Sequence, residues 1–308
     1  PARRRWTRSP RSRRRPPHRR PTGWRGSPGP AACALASLAL LATLWHFCAY
    51  GFDFTDESFY LLWIADPFGF KASATQFGFV YHPLYQLLGG DIANLRRANV
   101  LLVFGLSWAV MLQTLDLWPV SRSLRLAPRL MVTAGLASSG LVVFSSWLVT
   151  PNYNTLNLQG LLVAWLGVLR FARGAPSRGL PSWCLLGLGG WLCFMAKPST
   201  ALALGVTVAI LLATQGRRGW AEGLRAAAFA ALLLGPAALA IDGSVGGFVQ
   251  RLRDGVALGD LLLGSDGFSS ILRLDLPHLS RFEQQALLAV TLACWMALAT
   301  AGARGRQR

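Results

Sequence analysis

The sequence predicts an all-α protein, a polytopic transmembrane bundle of about eight spans with interfacial helices in its first outer loop. Three observations carry this. Of 308 residues, 53% are hydrophobic and only 14% are charged, a balance unlike that of a soluble domain. The apolar residues fall in runs that approach the roughly 20 residues a helix needs to cross hydrocarbon. The arginines sit in short clusters between those runs. Because the net charge of +18 is dispersed in this way rather than gathered on one domain, nucleic acid is excluded as a partner.

Residues 1–30 are rich in Arg and Pro, with runs such as Arg13-Arg14-Arg15, and cannot pack a core. They read as a disordered basic tail facing anionic lipid from the cytoplasm. The transmembrane domain follows over 31–301, with spans at about 31–50, 97–117, 127–148, 155–171, 181–196, 199–213, 222–241 and 285–301. The fifth and sixth are short and could be one tilted span interrupted at Pro198. Arg170, Arg173 and Arg178 precede the pair, and Arg217, Arg218 and Arg225 follow it. The positive-inside rule puts both clusters in the cytoplasm, so an even number of crossings lies between them. The N-terminus and the basic end at 302–308 are then cytoplasmic, and the outer loops are 51–95, 149–156, 197–200 and 242–283. Trp118, Trp147, Trp183 and Trp220, near span ends, suit an interfacial belt. This is the pattern of a multi-pass protein of a cell's inner membrane. Cys33, Cys184, Cys193 and Cys294 lie within spans and Cys48 near the outer end of one. With no CxxC pair, they read as small packing residues.

The unusual polar residues gather on the outer side. Asp53, Asp56 and Glu57 come directly after the first span, where carboxylates are costly to desolvate. Beside an apolar wall a carboxylate can serve as a general base, and Asp56 with Glu57 could hold a divalent cation. The same residues also suit the capped first turn of a short helix. Lys197 breaks the charge rule; it pairs with a phosphate or snorkels at a helix end. Arg96 and Arg97 are either further phosphate contacts or interface anchors. His82 is a proton carrier or a structural histidine near a turn. Asn152, Asn154 and Asn157 match sugar hydroxyls as donors and acceptors, and equally suit a turn after Pro151.

In Asp56-Glu57-Ser58-Phe59-Tyr60, in Pro83-Leu84-Tyr85 before the second span, and in Phe194-Met195-Ala196-Lys197-Pro198, the chain resembles the GT-C superfamily of integral membrane glycosyltransferases. The similarity is to the branch holding protein O-mannosyltransferases and the aminoarabinose transferase of lipid A, and covers about residues 31–241. It implies transfer of a sugar from a polyprenyl-phosphate donor to a lipid, glycan or protein acceptor outside the cytoplasm. Asp56 would be the base or metal-linked residue, with Asp53 as the alternative and Glu57 beside them. Lys197, with Arg96 and Arg97, would contact the donor phosphate, and Tyr60, His82, Asn152 and Asn154 the substrate. Members often carry a second acid in the next outer loop, where this chain has Asn152 and Asn154.

Two other classes compete. A transporter or lipid carrier would use the same charges for binding, but should place polar groups near the bilayer midplane. Here the span centres are almost free of charge. A non-catalytic membrane assembly protein is the third.

Overall fold

The computed structural model describes residues 29–117, 125–174 and 179–263. Residues 1–28, Trp118, Arg178, residues 264–283 of the last outer loop, the span expected at 285–301 and the basic end at 302–308 lie outside them. The described residues form helices and connecting turns, with no strand among them. The helices are α1 (Gly29–Phe47), α2 (Asp56–Ala65), α3 (Phe77–Leu87), α4 (Ile92–Leu117), α5 (Leu126–Ala137), α6 (Val143–Ser146), α7 (Tyr153–Arg173), α8 (Ser182–Ala196), α9 (Pro198–Ala213), α10 (Gly216–Asp242) and α11 (Val245–Leu263).

Among the described residues, five helical stretches are long and apolar enough to cross a membrane: α1, α4, Leu126–Ser145, α7 and α10. The third joins α5 to α6 through a 3-10 segment at Ser138–Val142. The other two expected crossings, α8 and α9, have 15 and 16 residues, about 23 Å at the usual helical rise and short of a full hydrocarbon layer. They are nonetheless two antiparallel helices and not one tilted span. Lys197 alone joins them, with extended backbone, and Pro198 starts α9 at the position where a missing N–H costs nothing. Leu186 near the start of α8 packs with Leu212 near the end of α9.

Ion pairs and hydrogen bonds define the two ends of the bundle. At one end Asp116, closing α4, pairs with Arg129 of α5 and with Arg173 of α7. Ser182, opening α8, donates to Glu222 of α10 at that same end. At the opposite end the close of α1, the start of α4 and the approach to α7 meet at Arg96. The Asp116 end also holds Arg170, Arg217, Arg218 and Arg225, as the charge pattern required.

Helix boundaries follow from local chemistry. Asn152 caps α7 in a capping box with Thr155, satisfying amide groups that a helix start leaves open. Gly174 and Gly243 close α7 and α10 in the left-handed conformation, at φ of 67° and 69°, which glycine adopts without steric cost.

The tightest packing joins α7 to α8, and small residues make it possible. A Cβ on Gly189 would stand 2.6 Å from Ala164 N and Gly160 O, and one on Gly160 would stand 2.8 Å from Cys193 Sγ. In lipid no hydrophobic force draws helices together, so backbone approach through small residues is what holds them. Gly189→Leu is therefore expected to destabilise the fold by about 1–3 kcal/mol, the usual range for overpacking. The thermal midpoint in detergent measures this. Gly190→Leu is the control, since a Cβ there meets nothing within 4 Å and its midpoint should stay near wild type.

Residues 51–95, expected as the first outer loop, do contain short helices, α2 and α3, but they build core rather than merely lying in an interface. Tyr60, Trp63, Ile64, Phe77 and Tyr81 are buried in one cluster with Leu95, Leu156 and Met195. Gly78 lets α3 cross α2 closely, because a Cβ there would stand 2.5 Å from Trp63 Cδ1. A buried amide chain ties this unit to the spans. Tyr81 Oη donates to Gln159 Oε1 at 3.0 Å, Gln159 Nε2 to Asn99 Oδ1 at 2.8 Å, and Asn99 Nδ2 to the Val149 carbonyl at 2.8 Å. Burial pushes the Tyr81 hydroxyl well above the usual tyrosine range. The glycine-rich stretch after α10, unassigned by sequence, begins with helix α11. There Arg251 pairs with Asp242 at 2.7 Å and also donates to the Phe70 carbonyl, clasping α11 to the α2–α3 connection.

Candidate functional site

The three carboxylates of the sequence motif separate into three environments. Asp53 lies just before α2, where its Oδ1 accepts from the Thr55 hydroxyl, the Thr55 amide and the Asp56 amide. These bonds, that of the Thr55 hydroxyl first, hold its carboxyl below the usual range. It is a helix-capping group. Asp56 occupies the first turn of α2 and is exposed. Its carboxylate has no hydrogen-bond or ion-pair partner among the described residues.

Glu57 is only 3% exposed and Arg96 5%. The two pair at 2.6 Å. Arg96 also donates to the carbonyls of Cys48, Tyr50 and Gly51 and to the Thr150 hydroxyl, while Thr150 donates to Glu57. Glu57 Oε2 accepts the Asp53 amide as well. One guanidinium thus joins the end of α1, the start of α2, the start of α4 and the approach to α7. Its donors are turned to protein oxygens, an arrangement suited to fixing backbone rather than gripping a phosphate. Arg97 points elsewhere: it donates to Asn94 Oδ1 at 3.0 Å and lies 5.0 Å from the centre of the Trp45 ring.

Lys197 sits at the junction of α8 and α9 with Nζ 4.8 Å from the centre of the Tyr153 ring. Tyr153 meets Tyr60 edge-on at 5.7 Å and Phe77 at 6.1 Å. Tyr60 is one helical turn beyond Asp56 on the same face of α2. Ring contacts therefore link Tyr60 through Tyr153 to Lys197 at one end of the bundle, and Asp56 stands exposed one turn before Tyr60 on α2. Lys197 also stands where α9 begins, beside the positive end of that helix.

An apolar groove of about 640 Å³ runs between α8, α9 and α10, from Gly219 and Trp220 at the Asp116 end to Phe194 and Pro198 beside Lys197. Inside it Trp191 carries an indole N–H with no partner among the described residues. A second cavity of about 400 Å³ lies between α7 and the α5–α6 span. Neither is lined by Asp56 or Lys197 themselves.

The remaining candidates have local duties. His82 Nδ1 donates to the Ile64 carbonyl at 2.8 Å, and Nε2 lies 2.7 Å from Gln86 Nε2, so the ring bolts α3 to α2. Asn152 is the α7 cap and is buried. Asn154, two residues on, lines the second cavity. Among the described residues no three His, Cys, Asp or Glu side chains gather as metal ligands would. Sequence reading passed over Thr150, Asn99, Gln159 and Tyr153. For Asn99 and Gln159 a signal existed, since an amide inside an apolar span needs a partner there.

Comparison with known protein families, with curated proteins and with solved structures finds no match to this chain.

Proposed function

We propose that the protein is a membrane glycosyltransferase that moves a sugar from a polyprenyl-phosphate donor to a hydroxyl acceptor at the Glu57 end of the bundle. On this reading the fold is GT-C-like with about eight spans in a cell's inner membrane, the N-terminus is cytoplasmic, and the Glu57 end faces outwards. The observation that carries it is the apolar groove ending at Pro198, beside Lys197 and the positive end of α9. A polyprenyl tail fits a groove of that character, and the phosphate it bears would then reach the ammonium group.

The reaction follows from that placement. Asp56 takes the proton of the acceptor hydroxyl, whose oxygen attacks the anomeric carbon of the sugar. The bond from that carbon to the phosphate oxygen breaks, and the polyprenyl phosphate leaves with its new charge stabilised by Lys197. Tyr153, half-buried beside Lys197, offers a ring face to the sugar, and Tyr60 backs it from the core. A divalent cation shared by Asp56 and Glu57 would have to displace Arg96 from Glu57, so Asp56 acts alone as the base. Arg96 and Glu57 hold the frame, and Asp53 caps the helix that presents Asp56.

The test is transfer of radiolabel from polyprenyl-phosphate sugars to a membrane acceptor extract by the purified full chain. Wild type should transfer. Lys197→Gln should lower the rate by about 10²-fold or more, in the range seen when one charge-stabilising donor is removed. No transfer by wild type, or undiminished transfer by Lys197→Gln, would reject the reading. The groove also supports a lipid carrier, which would bind the polyprenyl phosphate without breaking it. Retention of intact donor, with no sugar released, would mark that outcome.

A further inference from the structure

Asn154 and Asn157 lie three residues apart on α7 and so share a face. Both line the 400 Å³ cavity against the α5–α6 span. Asn154 Nδ2 and Asn157 Oδ1 are shielded from solvent and have no hydrogen-bond partner among the described residues. That leaves one amide donor and one amide acceptor in want of a partner, which buried polar groups rarely are.

The surroundings narrow the class of partner. The walls are apolar, from Val143, Leu158 and Leu161, and no charged side chain lines the cavity. An anionic or cationic group would find no counter-charge there. A hydroxyl suits both amides, because it accepts from one and donates to the other. Trp147 at the edge is 38% exposed and neighbouring Val142 is 65% exposed, so in a membrane the mouth meets lipid at the end of a span. The volume is far larger than the roughly 30 Å³ of a single water and lies in the usual range for small-molecule sites. Tyr153 and Asn154 are successive residues, about 100° apart around α7. Neither Tyr153 nor Lys197 lines this cavity.

We propose that this cavity binds the uncharged, hydroxyl-bearing head group of a membrane lipid, glycosyl or glyceryl, with Asn154 and Asn157 as its hydrogen-bonding residues. The site stands apart from the sugar-transfer reading and holds whether or not the chain is an enzyme.

The test uses the full chain purified in an amine-oxide detergent, which carries no hydroxyl. Equilibrium dialysis measures binding of three labelled eight-carbon probes: octyl glucoside, 1-monooctanoylglycerol and hydroxyl-free methyl octanoate. At least one hydroxylated probe should bind at one per chain and about tenfold or more tighter than methyl octanoate, as expected from one to two hydrogen bonds. The tighter of the two assigns the head group as glycosyl or glyceryl. The Asn154→Leu/Asn157→Leu double variant should lose that preference. Equal affinity for all three probes, or a preference that persists in the double variant, would overturn the proposal. Ser139→Phe, which fills the cavity from its exposed side, decides the matter should the double variant fail to fold. It should weaken the hydroxylated probes about tenfold or more while far-UV circular dichroism stays unchanged, and binding as tight as wild type would sink the proposal.

Discussion

Replacing Arg96 by methionine is expected to destabilise the protein by about 3–5 kcal/mol, the cost of leaving a buried carboxylate without its partner. Glu57 would keep the Thr150 hydroxyl and the Asp53 amide but lose the charge at 2.6 Å. Three backbone carbonyls, those of Cys48, Tyr50 and Gly51, would lose their donor at the same time. Unfolding in detergent by titrated sodium dodecyl sulfate measures the change. Arg97→Met is the matched control. Among the described residues Arg97 pairs with no carboxylate, and its loss removes one hydrogen bond to Asn94 and the contact with Trp45, about 1 kcal/mol or less for a contact near the surface. The double variant Glu57→Leu/Arg96→Met should recover part of the loss, since a buried pair often exchanges for apolar residues at little cost. Equal effects of Arg96→Met and Arg97→Met would show that the buried pair does not hold the helices together.

This pair also marks the boundary between what sequence order can and cannot convey. Span positions follow from composition alone, because a helix in lipid must be apolar over its length whatever it packs against. The grouping of arginine clusters at one end follows equally from position, and the contacts of Asp116 with Arg129 and Arg173 lie at that end. Partnership does not follow in this way. Asp53, Asp56 and Glu57 are neighbours in sequence and chemically alike, yet one caps a helix, one faces solvent and one is locked to an arginine 39 residues away. On α2 a step of one residue turns the side chain by about 100°, enough to carry Glu57 inward and leave Asp56 outside. The same rotation divides Arg96 from Arg97 and Tyr153 from Asn154. Adjacent residues that read as one motif therefore belong to different faces, and only packing reveals which face is buried.

On the proposed function Asp56, whose carboxylate meets no partner among the described residues, is the base, and Asp56→Asn is expected to reduce sugar transfer by about 10²–10⁴-fold, the usual share of a general base. In barrier terms this is about 3–5 kcal/mol. The substitution keeps size and polarity and removes the proton acceptor. Because no hydrogen bond within the described residues depends on the Asp56 carboxylate, the thermal midpoint should hold while turnover falls. Asp53→Asn is the contrasting case. It weakens the bonds to Thr55 and Asp56 that start α2, and any fall in its activity should follow a fall in stability. Glu57→Gln should likewise act through the fold, by taking away the charge that Arg96 faces in the core. The three variants together separate a group that does chemistry from two that present it. Loss of transfer in Asp56→Asn at an unchanged midpoint supports the base, whereas transfer equal to wild type removes Asp56 from the reaction and leaves the groove as a lipid-binding feature.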